Sequence, residues 1–366
     1  MTSSGAALGS DGTIGILGGG QLGRMLALAA ARLGLKCHVY SPDPQSPAFE
    51  VVRRATHGDY RDESALDSFA GDVDVVTYEF ENVPAETARF LAARRPVLPD
   101  PAVLATTQDR LLEKNFIAGL QIATAPYRRI DGPADLAPAL EAIGRPGVLK
   151  TRRFGYDGKG QVLIRNGDDP DGAWNAVGGA ASILEAFVPF EPEISVVAAR
   201  GRDGRIACFD VTENEHRDHI LKVARVPAEV TPAVAAEAQR IAERIAGAFD
   251  YVGVLAVEMF VVRNGTGHDV LVNEIAPRVH NSGHWTIDGA TVSQFEQHVR
   301  AVAGWPLVKP WRHGRIEMTN LIGAEVDDYA KWLTVPGASV HLYGKGAARP
   351  GRKMGHVTRI FPSDVI

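Results

Sequence analysis

Glu258 and Glu274 each interrupt an apolar run: Val254-Leu-Ala-Val-Glu258-Met-Phe-Val-Val262 and Val270-Leu-Val-Asn273-Glu274-Ile275. A carboxylate is costly to bury unless something pairs with it, so an acid in a run too apolar to face water asks for a partner. Asn264-Gly265-Thr266-Gly267 joins the runs as a short Gly-containing loop, the signature of a hairpin folded about Thr266. Folding there brings Glu258 and Glu274 close to cross-strand register, where like charges repel. A cation between them removes the repulsion, and hard oxygen ligands beside substrate phosphates suit Mg2+, with Mn2+ as the alternative ion. Taken singly, either acid also reads as a solvated glutamate on a surface hairpin.

Directly after the second run comes Ala276-Pro-Arg278-Val-His280-Asn281-Ser-Gly-His284-Trp285, too polar and too Gly/Ser-broken for a core helix or strand. It reads as a loop of donors at the metal end of the hairpin. Earlier, Gly147-Val-Leu-Lys150 is a strand with a lysine at its end. It leads through Phe154-Gly155-Tyr156-Asp157-Gly158-Lys159-Gly160-Gln161 to the strand Val162-Leu-Ile164. Strand, Gly-rich basic loop, strand describes a lid whose N–H groups and lysine fold over phosphates. No Gly-Lys-Ser/Thr string occurs in it, so it is not a Walker loop.

These residues need a frame. With 366 residues, 45% hydrophobic and 23% charged, the chain has the composition of a two- or three-domain globular enzyme. A net charge of −5 gives no bulk attraction to nucleic acid or an anionic membrane. No run is long and apolar enough to span a bilayer, and the small polar segment 1–12 reads as a disordered tail rather than a signal peptide. Cys37 and Cys208 are far apart and form no metal spacing, which points to reduced packing residues and a cytoplasmic location.

Thr13-Ile-Gly-Ile-Leu17, the turn Gly18-Gly-Gly20-Gln21-Leu22-Gly23, a helix from Gln21 to about Leu33 and Lys36-Cys-His-Val-Tyr40 make a βαβ unit. Asp43 falls where a ribose-binding acid would stand, although Pro42 and Pro44 distort that strand end. The strand Val73–Tyr78 delivers Glu79 and Glu81 to the C-terminal edge of a parallel sheet, the edge at which such sheets bind ligands. A proline-rich link at 95–101 precedes a helix from about Thr107 to Ala118, on which Arg110 and Lys114 form a stripe of the kind usually solvated. Ser182–Val188 and Glu193–Val197 are strands around a proline bend, and its exposed main chain suits an adenine edge, with Glu193 in reach of a ribose. The charged segment Glu213–His219 reads as a loop, followed by a helix over 232–247.

The lid, the paired-carboxylate hairpin and the Rossmann-like leading unit together resemble the ATP-grasp superfamily. Several strings are similar to those of its N5-carboxyaminoimidazole ribonucleotide synthetase family. They are Gly18–Met25, Tyr78–Pro84, Gln108-Asp-Arg110, Gly155–Gln161, Ala276–Trp285 and Pro350–His356, in order over nearly the whole chain. The resemblance implies an α/β fold with a Rossmann-like pre-ATP-grasp domain (13–106), an ATP-grasp domain (107–305, with a mobile lid near 147–200) and a small β-rich C-terminal domain (306–366). The implied reaction is ATP-dependent carboxylation of 5-aminoimidazole ribonucleotide by bicarbonate through carboxyphosphate, in a homodimer whose product passes to a mutase of the same pathway.

By the same resemblance, ATP meets Arg110, Lys150, Gly155, Tyr156, Asp157, Gly158, Lys159, Gly160, Gln161, Glu185, Ala186, Phe187, Val188, Glu193, His216, Asn273 and Glu274. Glu258 and Glu274 hold the metal, and Arg278, His280 and Asn281 hold bicarbonate and the intermediate it forms. Lys345 and Arg352 grip the ribonucleotide phosphate. Gln21, Leu22, Glu79 or Glu81, Tyr156 and Lys159 line the aminoimidazole and ribose site. The alternatives are another ATP-grasp ligase, such as a formyl-phosphate-using glycinamide ribonucleotide transformylase or a biotin-dependent carboxylase, and, from a different class, an NAD-dependent oxidoreductase built on the glycine turn. A zinc site at His280 and His284 is disfavoured, because Asn281-Ser-Gly283 would not hold a helix.

Overall fold

Hydrophobic alternation at Ile14 and Ile16 and the permissive Gly18 (φ 102°) produce the expected strand–turn–helix–strand unit: Thr13–Leu17, Gln21–Arg32 and Lys36–Ser41. The computed structural model describes residues 6–155 and 158–361. Thr13–Leu17 lies between Lys36–Ser41 and Val75–Tyr78, with Arg54–His57 outermost, and every pairing is parallel. Helices Gln21–Arg32 and Glu63–Gly71 supply the crossovers such a sheet needs. Glu79 and Glu81 leave its C-terminal edge as expected.

The main sheet is antiparallel and has nine strands among the described residues. The hairpin Gly253–Asn264/Gly267–Ala276 forms one end, turning at Gly265-Thr266 with Gly265 at φ 58°. Glu258 pairs with Glu274, and the register then slips by one residue, so that Met259 faces Val272 and Asn273 is the extra residue of a bulge. Glu193–Arg200, Thr212–Arg217, Ile220–Val226, Arg315–Ile322, Lys353–Phe361 and Ala338–Leu342 follow across the sheet. The C-terminal strands thus continue the sheet that carries the hairpin.

The segment 213–219 is not a loop. Thr212–Arg217 pairs with Ile220–Val226 through a turn with Asp218 and His219 at φ 51° and 64°. Alternation explains why its charge misleads: Thr212 and Asn214 are buried, while Glu213, Glu215 and Arg217 lie toward solvent.

A third sheet, ordered Tyr127–Ile130, Ser182–Ala186, Gly147–Thr151, Gln161–Ile164, carries the Gly-rich connection. This lobe runs from 127 to 186. It therefore starts before the expected lid span of 147–200, and Glu193–Arg200 belongs to the main sheet. The helix expected from Thr107 is two helices, Pro101–Thr107 and Arg110–Gly119, because the Asp109 side chain caps the second one. Nor is segment 6–12 a loose tail. Leu8 N donates to Ala303 O at 2.8 Å, and Trp305 Nε1 donates to Leu8 O at 2.7 Å. Both cysteines are free, and burial pushes each thiol up to about 12.

One core runs through helices Gln21–Arg32 and Gln294–Ala303 and joins the parallel sheet to the main sheet. His298 ties the two polar frameworks together. Its Nδ1 accepts from Val254 N at 3.0 Å, and its Nε2 lies 2.8 Å from Thr77 Oγ1. Burial lowers its pKa to about 4. Because the folded value lies below the unfolded one, the neutral ring costs nothing above about pH 6.5 and destabilises increasingly as pH falls from there toward 4. In an NMR titration the His298 ring resonance is expected to stay at its neutral position through pH 5.5; titration near pH 6.5 would contradict this arrangement.

Candidate active site

The site is assembled from three directions. Asp109 accepts from the N–H groups of Leu111 and Leu112, and Arg152 grips its carboxylate with bonds of 2.6 to 3.0 Å. This anchors the first turn of helix Arg110–Gly119 and sets Arg110 Nη1 2.9 Å from Glu274 Oε2. Across the cleft, Lys150 Nζ donates to Glu185 Oε2 at 2.9 Å, and Lys114 Nζ lies 3.7 Å from the same oxygen. Burial alone would raise the Glu185 carboxyl, but Lys150 and Lys114 outweigh it and leave it at about 2. The Arg110/Lys114 stripe is therefore not solvated; Lys114 is 1% exposed.

The hairpin contributes the acids. Glu258, Glu193 and His216 each offer a ligating atom within 4.8 Å of the others, and Glu274 sits opposite Glu258 with its carboxylate paired to Arg110. Burial, then Glu193 and Glu274, push Glu258 well above the carboxylate range; burial and Glu274 push Glu193 up to about 8. Glu274 is held low, because Arg110 outweighs its burial. Two of three carboxylates are thus short of positive charge, and the Asn273 Oδ1 beside them is buried without a partner. Oxygen-rich, negatively charged and unsatisfied, this cluster fits a hard divalent ion. Of the expected Glu258–Glu274 pair only Glu258 belongs to this three-residue group, with Glu193 and His216; the Glu274 carboxylate is paired to Arg110.

The 276–285 loop brings the third group. Arg278 forms an ion pair with Glu81, and its charge also reaches Glu274 and Glu79. Burial would raise Glu81, but Arg278 holds it below the usual range. His280 Nδ1 lies 2.9 Å from Ser282 Oγ and its Nε2 3.4 Å from Glu258 Oε1. Burial, with Arg278 and Lys353, keeps that imidazole neutral. Asn281 exchanges two amide bonds with Asn320, at 3.0 and 2.7 Å, so its side chain is already paired inside the protein. His284 and Trp285 are core residues, with His284 Nδ1 3.2 Å from Gln294 Nε2. His284 is thus set against Gln294 in the core while His280 meets Glu258.

The glycine turn does not receive a pyrophosphate. Glu79 accepts from Gly20 N at 2.8 Å and Gly23 N at 3.1 Å, and a Cβ on Gly18 would meet its side chain at 2.7 Å. A buried carboxylate already fills the anion position at this helix N-terminus, which removes the dinucleotide reading. Asp43 merely accepts from Gln45 N. Leu22 packs in the core, while Gln21 stands half-buried at the helix start.

Of the lid, Tyr156 and Asp157 lie outside the described residues. Gly155 borders the cleft, Gly158 lies against His219, a Cβ on Gly160 would meet Thr151, and Gln161 Nε2 is 3.5 Å from His219 Nδ1. Lys159 is exposed on the turn between them. The N–H groups of Ala186 and Phe187 are taken by Pro126 and Pro146, so these two donors are not open for an adenine, and Val188 is buried beyond them. Lys345 Nζ donates to Lys353 O at 3.0 Å and Arg352 Nη1 to Ala347 O at 3.3 Å; the Lys345 charge also reaches Glu79. Sequence reasoning missed Glu113, Lys114, Asn320 and Lys353. For Lys114 a signal existed, since Arg110 and Lys114 share a helical face with apolar Ile117.

Three family models match this chain in order. They are a ribonucleotide synthetase preATP-grasp domain over residues 12–108, an ATP-grasp domain over 115–295 and a phosphoribosylaminoimidazole carboxylase C-terminal domain over 317–365. The chain is 50% identical over 355 residues to the N5-carboxyaminoimidazole ribonucleotide synthase of Brucella melitensis, covering 96% of this chain and 97% of the relative. It is similar to the crystal structure of N5-carboxyaminoimidazole ribonucleotide synthetase from Thermus thermophilus, with TM-score 0.89, 47% identity and coverage of 96% and 94%. It is also similar to that of the Aspergillus clavatus synthase in complex with ADP and 5-aminoimidazole ribonucleotide, with TM-score 0.90, 32% identity and coverage of 97% and 95%.

Proposed function

The chain belongs to the N5-carboxyaminoimidazole ribonucleotide synthase family of ATP-grasp ligases; from that premise we propose how its residues carry out the family's reaction. The enzyme uses ATP to carboxylate the exocyclic amine of 5-aminoimidazole ribonucleotide in purine biosynthesis. Bicarbonate is a poor electrophile. A bicarbonate oxygen attacks the γ-phosphorus of ATP, ADP leaves, and carboxyphosphate forms. Its C–O bond then breaks to release CO2 and phosphate, and the amine nitrogen adds to the carbon and loses a proton.

The observation that carries this reading is the position of Arg278. It lies between Glu274 on the hairpin and Glu81 at the parallel-sheet edge, in a cleft also lined by Arg110 and Gly155. A guanidinium there can meet bicarbonate as it is phosphorylated on one side and hand CO2 to an amine on the other. Lys150 and Arg110 supply positive charge for the transferred phosphoryl group. Mg2+, held by Glu258 and Glu274 with Glu193 and His216 alongside, would neutralise charge on the phosphates. Glu79, Lys345 and Arg352 form the ribonucleotide end, with Gln21, Tyr156 and Lys159 as further contacts. Neutral His280 is a hydrogen-bonding group at the carboxyphosphate position. Closure of the lobe 127–186 would exclude water from an intermediate that hydrolyses readily.

No helix of the described residues is long and apolar enough to cross a membrane, and we take the enzyme to be a cytoplasmic homodimer whose product feeds a mutase. ADP release with Mg-ATP tests the function. It is expected to rise with 5-aminoimidazole ribonucleotide only when bicarbonate is present. Bicarbonate-independent stimulation, or none, would overturn the substrate assignment and leave an ATP-grasp ligase of another acceptor.

A further inference from the structure

The Glu274 strand, Gly267–Ala276, is the outermost strand of the main sheet. Along its outward edge only one isolated parallel bridge from Thr124 pairs with it among the described residues, through Val272 N donating to Ala123 O at 2.8 Å, and no further strand continues the sheet. At the end near the site it is also interrupted by the bulge at Asn273, where the ladder is weakest and side chains are re-aimed. Yet the groups flanking the bulge are satisfied. Val272 O accepts from Lys114 Nζ at 3.3 Å, and Ile275 N donates to Glu113 Oε1 at 2.7 Å. Glu113 and Lys114 are consecutive on helix Arg110–Gly119 and are 2% and 1% exposed. A surface pair would be solvated; this one is buried on the strand backbone, on either side of Asn273 and Glu274.

We propose that Glu113 and Lys114 are positioning residues that take over where the single bridge from Thr124 ends, pinning the Asn273–Glu274 bulge so that Glu274 faces Glu258 and Arg110. Lys114 adds a second link. It also lies 3.7 Å from Glu185, the partner of Lys150, so one ammonium connects the bulge to the lobe that carries the phosphate lysine. When phosphates draw Lys150 away, Lys114 remains to neutralise Glu185. The catalytic part of this inference rests on the reading of Glu274 as an ion ligand.

The first test needs no substrate. Hydrogen–deuterium exchange of the 270–276 segment in the full chain is expected to rise about tenfold in Glu113→Ala and in Lys114→Met. It should stay near wild type in Glu113→Gln, which keeps an acceptor oxygen for the Ile275 N–H. In steady state, the Ala and Met variants should lose about 10²-fold in kcat and need more Mg2+ for half-maximal rate, with KM for 5-aminoimidazole ribonucleotide changed less than about threefold. Glu113→Gln should rescue kcat. Unchanged exchange, exchange raised over the whole main sheet in both variants, or a Gln variant as impaired as Ala would each overturn the proposal. A wrong substrate assignment would show in the ADP-release assay and leave the exchange result intact.

Discussion

Replacing Arg278 by Ala is expected to lower turnover at saturating Mg-ATP, bicarbonate and 5-aminoimidazole ribonucleotide by about 10³-fold or more, the scale seen when a preorganised cation at a transferred phosphoryl group is removed. The guanidinium pairs with Glu81 and lies within electrostatic reach of Glu79 and Glu274, so its loss leaves acids without their counter-charge. A stability loss of about 3 kcal/mol should accompany the loss of activity, because breaking a largely buried pair from one side leaves the other charge stranded. The two effects separate in the double variant Arg278→Met with Glu81→Gln. Removing both charges should restore most of the denaturation midpoint and leave turnover low. Should the double variant regain activity, Arg278 would be no more than the partner of Glu81.

Glu258→Gln should move activity and stability in opposite directions. In the metal-free protein Glu258 is buried among like charges, with Glu274 directly opposite and Glu193 close by. A neutral isostere removes that repulsion, so the metal-free variant should be as stable as wild type or more stable by up to ~1 kcal/mol at pH 8. Sign follows from linkage: a carboxyl whose pKa is raised on folding destabilises the fold most at high pH, where it must ionise. Mg2+-dependent ADP release should nonetheless fall by about 10³-fold if, as proposed, Glu258 is a charged ligand of the ion. Urea denaturation without Mg2+, set beside ADP release over a Mg2+ series, measures both. A destabilised protein that keeps its Mg2+ requirement would show that Glu258 is a structural acid.

Much of this site was legible because its chemistry conflicts with its setting. Acids inside apolar runs, as at Glu258 and Glu274, and a donor-rich loop beside them are local contradictions that a sequence displays directly. The hairpin, the βαβ unit, the acids at the parallel-sheet edge and the Gly-rich connection all followed from periodicity and turn residues, which act over a few positions.

What the sequence concealed depends on residues far apart in the chain. The charged string from Glu213 to His219 reads as a loop because strand alternation is visible only once Glu193–Arg200 and Ile220–Val226 bury its inner side. Arg110 and Lys114 read as a solvated stripe because nothing near them announces that Glu274 and Glu185 will arrive as partners. The Gly18–Gly23 turn reads as a dinucleotide site until Glu79 occupies it. By itself, the sequence determined the local elements and the residue types able to hold a divalent ion and phosphates. Only the tertiary structure decided which charge answers which, because a charge inside a protein takes its meaning from partners that folding brings within a few ångströms and from the water that folding removes.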